Sequence, residues 1–182
     1  MQSDEQHWVS RADVLYKRGK RLSKYFSTHL GHPGVFPAAV LATGQLTAKA
    51  INTTYPRLFG RDANLSPLVG ARLGNAFFSS LLPPLLFLFL LGWTGTLEAF
   101  CVGALLALGP RNIDLSQIAH VDTIFSVVTT ATVMSYLAAL RSGRTPLKLC
   151  SGVFFGLCLL SKPTCLALVP AFMLAKTIMR WR

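Results

Sequence analysis

An all-α, polytopic helical membrane protein, with an interfacial amphipathic helix and about five transmembrane helices, is what these 182 residues predict. Hydrophobic residues make up 52% of the chain and charged ones only 14%, against about 25% charged in a soluble domain. The charge is also divided unevenly. Residues 1–72 carry 10 of the 18 Lys and Arg and 4 of the 7 Asp and Glu, so a polar outer region (1–72) precedes a transmembrane module (73–182). Finally, Leu73 to Leu97 is free of charge for 25 residues and Thr123 to Leu140 for 18, against roughly 20 apolar residues needed to cross a bilayer. Shorter uncharged runs at Ala99–Pro110, Leu149–Ser161 and Pro163–Ala175 follow the same pattern. Five such runs leave too little polar surface to cover them in a soluble protein.

From the amino terminus, MQSDEQHW lacks the basic-then-apolar pattern of a signal peptide. Trp8, Ala12, Leu15, Leu22 and Phe26 then recur at helical spacing, with Arg11, Lys17, Arg18, Lys20, Arg21 and Lys24 between them. This apolar stripe beside a basic face suits a surface of anionic lipid head groups, the alternative being a basic helix packed on protein. No binding motif accompanies the basic run, which argues against nucleic acid as a partner despite the net charge of +11. Gly31 to Pro37, GHPGVFP, reads as a rigid loop. Ala38–Ala50 reads as a short helix and Tyr55–Pro67 as a polar loop; Asn52-Thr53-Thr54 is a glycosylation sequon of little weight.

The spans are expected at about Leu73–Leu91, Thr96–Leu108, Ile118–Leu140, Pro146–Leu160 and Thr164–Met179. Pro83-Pro84 should kink the first, and Gly109–Ser116 should form a loop after the second. The four cysteines fall in or beside apolar runs and indicate neither zinc nor redox chemistry. Arg141, Arg144 and Lys148 in one loop, with Lys176, Arg180 and Arg182 at the chain end, place those ends in the cytoplasm by the positive-inside rule. The opposite, outer face then gathers Asp4, Glu5, His32, Arg72, Arg111, Asp114, His120, Asp122 and Lys162. Asp122 stands about one turn inside an apolar span. An ionisable group there is a functional candidate, its plain alternative being an ion pair with Arg111 or Lys162. For His120 the plain alternative is a hydrogen-bonding partner at a helix end. Carboxylates facing Arg and Lys at a membrane boundary suit transfer from a lipid-linked phosphosugar: cations hold the phosphate while a carboxylate takes the proton of an attacking hydroxyl, or a divalent cation neutralises the leaving phosphate. A transporter would instead place its charges near mid-membrane.

Asp4-Glu5, then Trp8, then His32-Pro33-Gly34-Val35, then Arg72 opening a span, then PRNIDLSQIAHVD at 110–122 and GLCLLSKPT at 156–164, in that order, resemble the polyprenyl-phosphate-dependent glycosyltransferases of glycosyltransferase family 39. These include the protein O-mannosyltransferases and the aminoarabinose transferases of lipid A, which share the GT-C membrane fold. The resemblance implies Asp4 as general base towards the acceptor with Glu5 beside it, and Asp122, or alternatively Asp114, as the second acidic position. It further implies Lys162 as a phosphate contact, with His32, Arg72, Arg111 and His120 lining the substrate site. A divalent cation, Mg or Mn, held by Asp4 and Asp122 is an expected cofactor in some branches. The implied partners are a polyprenyl-phosphate sugar donor, an acceptor glycan, lipid or protein, and membrane lipids. The implied location is a bacterial-type inner membrane with the site on its periplasmic side. The family's first transmembrane helix and its later helices have no counterpart here, so the chain resembles a fragment or a reduced paralogue of such a transferase. The rival reading is a non-catalytic membrane subunit or transporter retaining the fold.

Overall fold

A computed structural model describes residues 3–17, 34–55 and 64–180, and every regular element in them is helical. In chain order these are α1 (Ser3–Lys17), α2 (Val35–Thr54), α3 (Pro67–Ser79), α4 (Leu82–Leu91), α5 (Thr96–Leu108), α6 (Pro110–Ser116), α7 (Val121–Ser142), α8 (Thr145–Ser161), a 3₁₀ turn (Pro163–Ala167) and α9 (Leu168–Arg180). All five expected apolar segments are helical. Two stretches, Pro67–Leu91 and Val121–Ser142, are long and apolar enough to cross a membrane. Thr96–Leu108, Thr145–Ser161 and Pro163–Met179 are apolar but shorter; at 1.5 Å per residue the first of these covers only about 20 Å of a core about 30 Å thick.

Several boundaries differ from expectation for identifiable reasons. Proline is tolerated in a first helical turn, and α2 accordingly starts at Val35 with Pro37 inside that turn, so the last three residues of the expected GHPGVFP loop are helix. In the first span the break falls at Ser80-Leu81, ahead of Pro83-Pro84, which occupy the first turn of α4. Each proline lacks an N–H and clashes with a carbonyl one turn earlier, so the helix opens on the amino-terminal side of the pair. Gly109–Ser116 is the short helix α6 rather than a loop, started by Pro110 and held by the Ile113 N–H on the Gly109 carbonyl, 3.1 Å. α7 begins at Val121, so Asp122 lies in its first turn rather than a full turn inside.

The core at one end of the bundle is built around α1. Trp8 and Ala12 are buried with Leu41, Ala42, Ala71, Ala119, Val121 and Ile124. The described part of the expected amphipathic stripe therefore faces α2, α3 and α7, not lipid; its continuation through Leu22 and Phe26 lies outside the described residues, as do His32 and most of the polar loop after Tyr55. Close backbone approach joins α2 to α3: a Cβ on Gly44 would stand 2.2 Å from the Gly70 carbonyl oxygen, and one on Gly74 would stand 2.7 Å from that of Val40. Such small-residue seams are how membrane helices gain packing without a hydrophobic driving force. Asn52, the sequon residue, closes the link between these helices by clasping both the N–H and the carbonyl of Leu65, at 2.9 and 3.0 Å. At the other end, Arg141 near the end of α7 donates to the Gly92 carbonyl and lies 4.9 Å over the Trp93 ring, fastening the α4–α5 turn.

Candidate active site

Arg72 is the sixth residue of α3, and its guanidinium meets the carboxylate of Glu5 from α1 as a two-pronged pair, Nε to Oε1 at 2.7 Å and Nη2 to Oε2 at 2.8 Å. Glu5 is 2% exposed and also accepts the Ala119 N–H at 3.1 Å. Three donors thus hold one buried carboxylate. The Arg72 hydrogen bonds, followed by the Ala119 N–H and the guanidinium charge, outweigh burial and lower its pKa below the ordinary carboxyl value. The Arg72 side chain stays 42% exposed. A guanidinium has five N–H donors; two are on Glu5, and among the described residues no other partner takes the rest.

Glu5 reaches the backbone just ahead of α7, and the second pair is three residues further on. Asp122 binds Lys162 through Oδ1 and the ammonium group. Lys162 is positioned by its neighbour: a residue before proline is pushed out of the helical region, so α8 stops at Ser161 and Lys162 is extended (φ −149°, ψ 132°) ahead of Pro163. The same cation lies 5.9 Å from the centre of the Phe125 ring. His120 caps α7, its Nδ1 accepting the Asp122 N–H at 3.2 Å and standing 3.4 Å from Oδ2. A carboxylate in the first turn of α7 is favoured by the helix dipole.

The two pairs share one end of the bundle, since Ala119 and Asp122 have Cα atoms at most about 11 Å apart along the chain. Of the two partners open to Asp122 in the sequence, the structure brings Lys162. Arg111 and Asp114 sit exposed on α6, with no ion pair to either among the described residues. Asp4 belongs to α1 next to Glu5, while its side chain, like all of His32, lies outside the described residues. No group of three or more His, Cys, Asp or Glu side chains stands together among the described residues, and the Asp122 charge is already met by Lys162. The described donors therefore do not by themselves fit the expected Mg or Mn.

One residue of this site escapes the reading of charges. Asn75, 0% exposed and one turn beyond Arg72 on the same face of α3, donates through Nδ2 towards the carbonyls of Leu115, Ser116 and Ile118 at 3.3, 3.0 and 2.6 Å. It pins the link between α6 and α7, and hence the segment that delivers Ala119, His120 and Asp122. An amide inside an apolar run was the available signal.

No curated protein and no solved structure gives a significant match to the chain. The model of the dolichyl-phosphate-mannose-protein mannosyltransferases matches residues 17–181. That stretch contains Arg72, Asn75, Asp122 and Lys162 and excludes the acidic pair in α1. With nine-tenths of its length matched and an all-helical membrane architecture, the chain belongs to the dolichyl-phosphate-mannose-protein mannosyltransferase family of membrane glycosyltransferases, whose donors are polyprenyl-phosphate sugars.

Proposed function

We propose that this chain carries the donor-binding and proton-transfer end of a transferase that moves a sugar from a polyprenyl phosphate to an acceptor hydroxyl. The observation that carries the reading is the meeting of two acid–cation pairs, Glu5–Arg72 and Asp122–Lys162, at one end of α7. In the proposed reaction the acceptor oxygen forms a bond to the anomeric carbon while the bond from that carbon to the phosphate oxygen breaks, and polyprenyl phosphate leaves with the electron pair. Asp4 takes the hydroxyl proton. The free donors of Arg72 and the Lys162 ammonium meet the phosphate as its charge rises, which is where fixed cations lower a barrier most. Glu5 is a positioning residue, since its oxygens already hold Arg72 and Ala119. Asp122 aims Lys162. A divalent cation, where one binds, would need Asp4 to join Asp122 and would neutralise the leaving phosphate.

Positive charge at the other end of α7 argues for that end in the cytoplasm, and so for the site on the outer, periplasmic or luminal, face. A protein hydroxyl is the acceptor that the family name favours. The test uses membranes containing the full chain, dolichyl-phosphate mannose as donor and radiolabelled transfer as readout. Asp4→Asn should abolish transfer with membrane insertion unchanged, and Lys162→Gln should lower turnover by roughly a hundredfold, the scale of a lost charge-stabilising donor. Transfer that survives Asp4→Asn removes it as the base. Wild-type membranes without transfer, but with unaltered insertion, would favour the non-catalytic subunit that keeps the fold.

A further inference from the structure

The end of α7 opposite the paired carboxylates holds a cavity of about 440 Å³ between α7, α8 and α9. From Asp122 to Gly143, which lines it, the helix rises about 32 Å, so the two sites lie at opposite membrane boundaries. Lys148 and Lys176 both line this cavity, and no ion pair joins either to a carboxylate among the described residues. Lys148 also stands at the start of α8, whose N-cap is Arg144. Cations at the positive end of a helix dipole repel it, an arrangement that an anion offsets.

A second observation points the same way. Ser151 lines the cavity one turn from Lys148 on the same face of α8, is 6% exposed, and has no hydrogen bond among the described residues. Its hydroxyl is therefore open to a ligand in the cavity, on a wall it shares with Lys148 and Lys176. The remaining wall is apolar: Tyr136, stacked on Phe172 at 4.2 Å, and Leu140. On α8 and α9, Leu149 and Leu174 are 66% and 62% exposed, as side chains that meet lipid tails are.

We propose that this cavity binds the phosphodiester of an anionic glycerophospholipid, with Lys148 and Lys176 on the phosphate oxygens, the Ser151 hydroxyl donating to one of them, and the acyl chains along the exposed apolar side chains of α8 and α9. Basic pockets between membrane helices recognise lipid head groups in this way. The site is separate from the transfer chemistry and does not depend on it. The experiment is retention of lipid by the purified full chain in a neutral detergent, read by native mass spectrometry and by melting temperature, with phosphatidylglycerol, phosphatidylcholine or inorganic phosphate added. Phosphatidylglycerol should be retained and should raise the melting temperature where phosphatidylcholine does not. Lys148→Gln and Lys176→Gln should each weaken retention about fivefold, the equivalent of one surface lysine, whereas the paired change to Arg should keep it. Both lysines are exposed, so the melting temperature without added lipid serves as the folding control. Equal retention of phosphatidylcholine, or retention unchanged in the Gln variants, overturns the proposal. So does an equal melting shift with inorganic phosphate, which would assign the cavity to a water-soluble anion.

Discussion

Glu5 is the residue on which the described site turns, because its carboxylate is buried and yet ionised. Its pKa is lowered by Arg72 and Ala119, so the folded state holds the charge better than the unfolded chain does. The stability this brings is fully present above the ordinary carboxyl range and is lost as pH falls through the lowered folded value. Melting temperature in detergent, followed from neutral to acid pH, should therefore fall for the wild type, and Glu5→Gln should flatten that part of the profile. At neutral pH the same substitution should cost about 2 kcal/mol, the value of hydrogen bonds to a charged group; an acid profile identical to wild type would remove Glu5 as the source. Asn75→Leu tests the neutral counterpart. It fills a similar volume but strips the donor from three carbonyls around Leu115–Ile118, and should cost about 2–3 kcal/mol. If the link it pins positions Asp122, transfer should fall further than the stability loss explains.

Among the helices, the α2–α3 seam is the contact with the least room. Gly44→Val would drive a side chain into the Gly70 carbonyl, an overpacking cost of about 1–3 kcal/mol or more. Gly152 in α8 is the matched comparison, since a Cβ there meets nothing within 4 Å. Gly152→Ala should stabilise by about 0.5–1 kcal/mol through helix propensity alone. Thermal unfolding of both variants checks the contrast; similar behaviour would mean the seam is not close-packed. The seam also matters to the site, because Arg72 lies between Gly70 and Gly74 on α3. Its reach to Glu5 depends on how closely α3 approaches α2 and, through α2, α1.

For the molecule as a whole, the governing fact is where its apolar side chains face. Phe77, Leu88, Leu97, Leu105, Leu108, Leu149 and Met173 are each more than 60% exposed, a surface that water disfavours and lipid accepts. Alkaline carbonate should accordingly leave the chain in the membrane fraction, and detergent should release it. Release by carbonate alone would contradict a membrane-embedded bundle. The charges follow the same geometry: the paired ones gather where α1, α3 and α8 meet the start of α7, and Arg141, Lys148 and Lys176 gather where α7 ends.

Hydropathy and local stereochemistry determined much of this from the sequence. Long uncharged runs marked the apolar helices because a bilayer requires about 20 residues without charge. Arg72, Asp122 and Lys162 were visible as charges beside apolar runs, and the acidic pair as neighbours ahead of the amphipathic stripe. Which cation meets which carboxylate was decided only by tertiary structure. Glu5 and Arg72 are 67 residues apart, and Asp122 had two cations in reach until the path of α6 and the extended Lys162 brought one of them to it. The α1 stripe was legible, but its partner was not, since an apolar face has the same periodicity whether it meets lipid or protein. Periodicity fixes the face of a helix; only packing fixes what lies against it.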